Sequence, residues 1–375
     1  MPTANEYLLD RSIRHSVYLE QYKAHEVREL VRFLQREIIP DIERRLAYRI
    51  EQSSSRAYSR LAPGASGDWQ TKRLNNLLDS IRADIAAGMK TSRQRLTKSL
   101  KAFGATEAEF QARLLEQAVK PFILFEAGVP SLRLIHSAII SKPFEGELLS
   151  GWFNGLGTRV AASVRRSFIG GLAAGDPPER IVRALMGASD GMYVGRGPLG
   201  AELRRNVRAI VRTAISHTAS HARDLTYAEN KDIVKKVQWV STLDARTSDV
   251  CISRDNKVYP EGEGPRPPAH HQCRSTVVPI LAGWEDMKKQ GFKPLRQARD
   301  MRTGLSTKVP EDMTYGQWLK MQSASVQNNV LGATRAKLFR QGRVDINRFF
   351  GNDGRRISLD LLRKRERLSK AAIGR

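Results

Sequence analysis

Groups that could do chemistry are concentrated in one segment of the chain, Trp239 to Pro279. Both cysteines and two of the seven histidines lie there. Thiolate and imidazole are natural Zn²⁺ ligands, and four such groups can close a tetrahedral structural site. Neither cysteine has a second cysteine two residues away, so the spacing differs from that of a zinc finger. The available ligands are Cys251, Cys273, one or both of His270 and His271, and Asp244.

Two other interpretations of these residues stay open. In the first, the thiols are small buried hydrophobes, Asp244 pairs with Arg246 within a turn, and the histidines bind backbone carbonyls. In the second, Cys273 is a nucleophile and His270 its base. No family-specific nucleophile signature surrounds Cys273, and the zinc-deaminase signature is absent. We therefore expect a structural role and no enzymatic activity.

A structural role makes specific demands on this segment. Trp239 should be buried as the anchor of a strand. Asp244 should accept hydrogen bonds from backbone N–H groups or from Arg246 in the following turn. The Pro267–Pro268 pair should return the chain towards Cys251. This would bring the two cysteine sulfurs to within about the 4 Å expected of ligands sharing one tetrahedral metal, or near the roughly 2 Å of a disulfide bridge.

The elements that must position this segment are mainly helical. Apolar residues recur at helical spacing in several stretches, and Thr106 with Glu109 has the spacing of a capping box that would start a new helix. A polar, breaker-rich stretch covers residues 53–67, and Gly187 to Gly200 is predicted to be a loop. The predicted helices are Asn5 to Arg49 with an interruption at Pro40, Leu74 to Phe103, Thr106 to Val119, Leu148 to Phe168, a short helix that begins within residues 175–178 and runs through Met186, and Leu203 to Asn230.

After these helices the pattern changes twice. Val237, Trp239 and Val240 alternate as in a β-strand. Beyond Trp284 the chain is basic and loop-rich, with little apolar periodicity. Its last stretch is dense in cations that could contact phosphate: Arg355, Arg356, Arg363, Lys364, Arg365, Arg367 and Lys370.

Composition narrows the classes of protein. A formal charge of +24 calls for a polyanionic neighbour, and nucleic acid is the commonest one. Such attraction to phosphate is independent of sequence and sensitive to salt. No apolar run is long enough for a membrane span, and the first 25 residues lack the pattern of a signal peptide. We expect synthesis in the cytoplasm and no stable membrane insertion.

The motif residues resemble the Mu F-like head morphogenesis family of tailed phages. Members show a helix, then W-x-x-x-x-D-x-R-T, a Cys, an Asp-Gly-like turn and P-P-x-H-x-x-C-R. The matching positions are Arg212, Thr213 and Ala214 in the helix, followed by Trp239, Asp244, Arg246, Thr247, Cys251, Asp255, Asn256, Pro267, Pro268, His270, Cys273 and Arg274. The stretch Thr314 to Val344 resembles the segment that often follows this domain, so the likeness covers about residues 145–350.

The sequence departs from the fullest form of the motif at two positions. Ser248 stands where a Cys-x-x-Cys often begins, and Ser275 replaces the second cysteine of a Cys-Arg-Cys. A four-thiolate site is therefore not available. A structural zinc would have to use Cys251 and Cys273 together with His270 and Asp244.

The resemblance implies a minor capsid protein inside the virion, associated with the portal protein and other capsid proteins. It would aid head assembly and genome packaging or delivery, with sequence-independent contact to double-stranded DNA. A DNA-binding enzyme and a phage-borne toxin that uses this domain for delivery are the alternatives. A nuclease should show clustered carboxylates for Mg²⁺, whereas Asp244, Asp249 and Asp255 are interleaved with arginines and fit ion pairs better.

These observations predict a predominantly α-helical α+β protein. We expect a long-helix N-terminal region over residues 1–145, a small α+β head morphogenesis domain over 146–282, and a basic C-terminal extension over 283–375.

Overall fold

The computed structural model describes residues 4–54, 67–121, 125–187, 197–281, 295–299, 301, 306–310, 313–351 and 353–368. The protein is 68% helical with a small three-stranded antiparallel sheet, so the predicted class, a predominantly helical α+β fold, is confirmed. Residues 55–66 of the predicted breaker-rich stretch and residues 188–196 of the predicted loop lie outside the described part of the chain.

Within the described residues, seven α-helices precede the first strand. They are α1 (Ala4–Phe33), α2 (Ile39–Ser54), α3 (Gly67–Val119), α4 (Leu132–Ser141), α5 (Leu149–Ala173), α6 (Pro178–Met186) and α7 (Pro198–Glu229). The predictions for α5, α6 and α7 are confirmed, although α7 begins inside the stretch predicted to be a loop. Pro177 and Pro178 start α6 because proline fits the first positions of a helix, where its missing N–H is not needed.

The predicted interruption at Pro40 takes a particular form. Between α1 and α2 the chain makes a five-residue π-helix, Leu34–Ile38, which ends two residues before Pro40. Proline lacks an N–H and its ring clashes with the carbonyl four residues earlier. A π-bulge is a common way to accommodate such a break without ending the helix.

The predicted start of a separate helix at Thr106 is wrong. Helix α3 runs without interruption through Gly104 and Thr106 to Val119. The capping-box spacing misled the prediction because Thr-x-x-Glu also occurs inside helices. Here buried residues continue at helical spacing through Ala108, Ala112 and Leu115.

The sheet contains β1 (Val234–Val240), β2 (Val258–Pro260) and β3 (Thr276–Leu281) in the order β2-β1-β3. Both pairings are antiparallel, with Val237 opposite Tyr259 on one side and Pro279 on the other. A two-stranded ribbon joins β4 (Leu295–Arg299) to β5 (Ser306–Pro310). The short helix α8 (Asp249–Arg254) lies between β1 and β2 in sequence.

The expectation of a loop-rich C-terminal region is wrong for residues 313–368. This part folds into α9 (Tyr315–Lys320), α10 (Ala324–Leu331), α11 (Ala333–Arg340), a 3-10 turn (Ile346–Phe349) and α12 (Leu359–Arg365). Each helix is only two turns long, so the apolar stripe is too short to register as periodicity. Their shared core, which we call the C-terminal core, includes Trp318, Leu331, Phe339 and Phe349 together with Leu243 and Ile252.

The chain divides into two compact units, which differ from the three consecutive regions predicted. The first comprises residues 1–21, 104–135 and 216–375, and the second comprises residues 22–103 and 136–215. Helices α1, α3, α4 and α7 contribute residues to both units, which is why boundaries placed between helices do not match.

The second unit is a helical assembly. Its buried side chains include Ile85 on α3 and Phe153, Val160 and Phe168 on α5. Helices α5 and α6 approach closely, since a Cβ on Gly171 would lie 2.5 Å from Cγ1 of Ile181. The first unit holds the sheet, α8 and the C-terminal core, and therefore the motif residues from Trp239 to Arg274.

Candidate metal centre

Trp239 anchors the motif at the end of β1. Its side chain is fully buried, which confirms the prediction, and it belongs to a core shared with Cys251 and Cys273. The indole N–H donates to the Ser241 hydroxyl at 3.0 Å, and that hydroxyl donates to the Cys251 carbonyl at 2.8 Å. This chain of bonds fixes α8 relative to β1.

Helix α8 positions the first cysteine. Ser248 is its N-cap, and the Ser248 hydroxyl accepts a hydrogen bond from the backbone N–H of Cys251. Asp249 in the first turn complements the helix dipole. Cys251 is thereby held in the first turn, with its side chain directed into the core.

Asp244 is an organising residue of the turn, as predicted. It accepts a hydrogen bond from the backbone N–H of Arg246 at 2.9 Å. Both of its oxygens also accept from the Arg274 guanidinium, at 2.5 and 2.7 Å. Burial would raise the pKa of Asp244, but the bonds and charge of Arg274 outweigh it and lower the pKa below its ordinary value.

This arrangement corrects the expectation that Asp244 could be a metal ligand. Both carboxylate oxygens are occupied by the planar fork of Arg274, and Asp244 is not among the groups that converge on the cysteines. The Asp244 carboxylate instead connects the turn after β1 to the start of β3.

The other polar motif residues also form structural bonds. Asp255 accepts from the backbone N–H of Ser241 at 2.9 Å and from that of Tyr315 at 3.0 Å, which links β1 to α9. Thr247 donates to the Thr242 carbonyl within the turn. Asn256 adopts a left-handed backbone with φ of 62°, a conformation that asparagine tolerates.

Three ligand groups converge beside this turn. The Cys251 and Cys273 sulfurs are 3.7 Å apart, within the predicted 4 Å, and the Cys251 sulfur is 3.4 Å from Nε2 of His270. All three ligand atoms lie within 4.8 Å of one another. Both cysteines are free and buried, and a disulfide would need sulfurs about 2.05 Å apart. We call Cys251, His270 and Cys273 the thiol–imidazole cluster.

The cluster perturbs the two thiols in opposite directions. The hydrogen bond with Cys273, together with burial, raises the pKa of Cys251. The same bond lowers the pKa of Cys273 well below its ordinary value, since the contact with His270 adds to it and outweighs burial. Either sulfur can be the donor in this contact.

The residues leading into the cluster have distinct positions. His271 is exposed, but its carbonyl is 2.9 Å from Nδ1 of His270 and orients that ring. Pro267 is buried and joined to Pro268 by a cis peptide bond. Arg266, just before them, donates to Asp224 on α7 at 2.8 Å.

The predicted phosphate-binding cations differ in their exposure. Arg356 donates to the Asp249 carboxylate at 2.6 Å and to the Val330 carbonyl at 2.9 Å, so its guanidinium supports the fold. Arg363 is half-buried, and Lys370 lies outside the described residues. The exposed members are Arg355, Lys364, Arg365 and Arg367.

The first unit contains a buried polar network that was not predicted from the sequence. The side chain of Glu107 on α3 is fully buried and lies 2.9 Å from Arg223 on α7 and 2.6 Å from His15 on α1. Gln111 also donates to Glu107, and Arg223 donates to Thr276 on β3. The sequence did contain a signal for this network, because Glu107 and Arg223 occupy positions on the apolar faces of their helices.

Comparisons with protein families, with curated proteins and with solved structures find no match to this chain. Of the helices that the structure describes, none combines the length and the apolar character needed to cross a bilayer.

Proposed function

We propose that this chain is a minor capsid protein of a tailed phage, a head morphogenesis factor that acts through structure rather than turnover. It would associate with the portal protein and other capsid proteins inside the head. There it would aid assembly and genome packaging or delivery, in contact with double-stranded DNA irrespective of sequence. The proposal rests on the motif residues and their contacts.

One observation supports a structural role over an enzymatic one. The motif residues are bonded mainly to one another and to the ends of β1, α8 and α9, as described for Asp244 and Asp255. A cysteine nucleophile must reach its substrate, whereas Cys251 and Cys273 are each about 1% exposed. This arrangement favours a rigid module over a hydrolase.

The DNA contact is supported by charge and by exposure. With +24 formal charges the chain would displace counterions from packaged DNA. Lys364, Arg365 and Arg367 lie in or just after α12 and are exposed, so their side chains are available to phosphate. The same charge would hold the protein near the genome inside a capsid.

Mass spectrometry of virions produced from the genome that encodes this chain tests the assignment. The proposal expects the chain in purified particles and in DNA-filled heads. If the chain is detected only in infected-cell lysate, and normal heads form when its gene is deleted, the assignment as a capsid protein is wrong.

A binding assay tests the DNA contact separately. Affinity for random duplex DNA should fall steeply with salt. The triple variant Lys364→Gln, Arg365→Gln, Arg367→Gln should lower the log–log slope by about 0.9 for every phosphate that these side chains neutralise. The matched control removes three exposed cations of α3, at Arg82, Lys90 and Lys98. Equal reductions in slope for both variants would place the DNA contact elsewhere than α12.

A further inference from the structure

We propose that the thiol–imidazole cluster is a zinc site with three protein ligands, the sulfurs of Cys251 and Cys273 and Nε2 of His270. The proposal does not depend on a phage origin, since it rests on the geometry of these three residues alone.

The distances between the ligand atoms match those around a tetrahedral ion. Two Zn–S bonds of about 2.3 Å at a tetrahedral angle place the sulfurs about 3.8 Å apart, and one Zn–S with one Zn–N bond places those atoms about 3.6 Å apart. The observed separations are 3.7 Å between the sulfurs and 3.4 Å between the Cys251 sulfur and Nε2 of His270. Two of the three ligand pairs therefore have the separation expected at a tetrahedral zinc, and the third pair, the Cys273 sulfur and Nε2 of His270, lies within 4.8 Å.

The imidazole is held in the orientation that a metal ligand requires. Nδ1 of His270 lies 2.9 Å from the His271 carbonyl, so it carries the proton and Nε2 presents its lone pair to the sulfurs. Such a carbonyl partner is the usual support of a zinc-bound histidine.

Charge balance favours Zn²⁺ in this buried position. Two thiolates neutralise the dication, so the loaded site carries no net charge into the core and avoids the cost of burying an unpaired ion. Among the described residues no carboxylate joins the group at the same distance, which leaves the fourth coordination position to water or to a partner's ligand.

Metal content of the untagged full chain tests the site. We expect about one zinc per chain by elemental mass spectrometry. After zinc is removed, titration with Co²⁺ should produce a thiolate-to-cobalt charge-transfer band and the visible bands of tetrahedral cobalt. Cys251→Ser, Cys273→Ser and His270→Gln should each weaken Co²⁺ binding by about 100-fold or more, beyond the roughly 10–100-fold loss typical of an outer-sphere change.

The neighbouring His271→Gln is the matched control, because the His271 ring is not one of the three grouped ligands, and it should retain the metal. If the ligand variants fail to fold, the cobalt spectrum of the unmodified chain still decides the question. Zinc below a tenth of an equivalent with no cobalt–thiolate band would overturn the proposal. Equal metal loss from His271→Gln and His270→Gln would overturn the assignment of His270.

Discussion

Glu107 shows how much a single buried charge contributes to this fold. Its carboxylate is removed from water, which by itself would raise its pKa, yet Arg223, His15 and Gln111 surround it and lower the pKa below the ordinary value. Because these partners come from α1, α3 and α7, one side chain connects three helices.

The free energy of unfolding should therefore depend on Glu107 and should fall at low pH. A glutamate with a lowered folded pKa stabilises the protein fully above its unfolded pKa of about 4.3, and this contribution is lost as the pH falls towards the folded pKa. Glu107→Gln should cost about 3–5 kcal/mol near neutral pH, because Arg223 would be left buried without its counter-charge. Denaturant unfolding at pH 7 and across pH 3–5 measures both effects.

The control for Glu107 is Glu109→Gln, two residues away on α3, where an exposed glutamate pairs with Arg113. It should change the free energy of unfolding by less than about 1 kcal/mol. The role of the buried network would be contradicted if the two substitutions lowered the free energy of unfolding by similar amounts. It would also be contradicted if Glu107→Gln lost stability between pH 5 and pH 3 as the unmodified protein does.

Asp244 should matter in the same way within the motif. Asp244→Asn keeps the hydrogen bond from the Arg246 backbone but removes the charge facing Arg274, whose side chain is only 17% exposed. We expect a loss of about 3 kcal/mol, the lower end of the range for a broken buried pair. Asp353→Asn, at a side chain that is 62% exposed, is the control and should unfold like the unmodified protein. A stable Asp244→Asn variant would show that Arg274 finds another partner.

At the scale of elements, long and strongly periodic helices were predictable and short ones were not. The apolar residues spaced four apart from Leu148 to Phe168 predicted α5 because a stripe of that length has few other interpretations. Helices α9 to α12 hold six to eight residues each, so their stability comes from the C-terminal core and not from a local pattern.

The candidate metal centre was likewise predictable only in part. Trp239 and the order of the cysteines and His270 predicted a turn that gathers them, since residue types and chain direction limit the choices. That Asp244 binds Arg274 and not a metal depends on where β3 places Arg274, and spacing alone does not determine this. Glu107 and Arg223 stand 116 residues apart, so their pairing needs the tertiary structure.

The C-terminal helices should unfold together when their shared core is opened. Trp318 is 1% exposed and among the largest buried side chains, so Trp318→Ala should cost about 3–5 kcal/mol. It should also make residues 313–368 sensitive to limited proteolysis. Met321, which follows α9 and is 68% exposed, gives the matched control, Met321→Ala. Resistance of Trp318→Ala to protease at the level of Met321→Ala would mean that the helices do not depend on this core.

At the scale of the whole molecule, the charge of +24 affects both the stability of the free protein and its binding to DNA. Added salt should increase the first and weaken the second. In the free protein like charges repel, which destabilises the compact state, and salt screens that repulsion. In a DNA complex, added salt removes the entropic gain from counterion release. The two effects can be separated by melting the protein with and without DNA.

We expect the melting temperature of the free chain to rise between about 50 and 200 mM sodium chloride, a range in which screening of exposed charges changes strongly. Duplex DNA at 50 mM salt should raise the melting temperature further, because a ligand that binds only the folded state stabilises it by mass action. This increment should shrink by 200 mM salt, since contacts to 6–10 phosphates lose about 10³–10⁵ in affinity over that range.

Chloride is the appropriate salt because sulfate stabilises proteins by exclusion from their surface, independently of charge. An increment that survives 200 mM salt unchanged would mean that DNA is held by contacts other than phosphate neutralisation. A melting temperature that falls with salt in the free protein would mean that its many arginines are already paired within the fold.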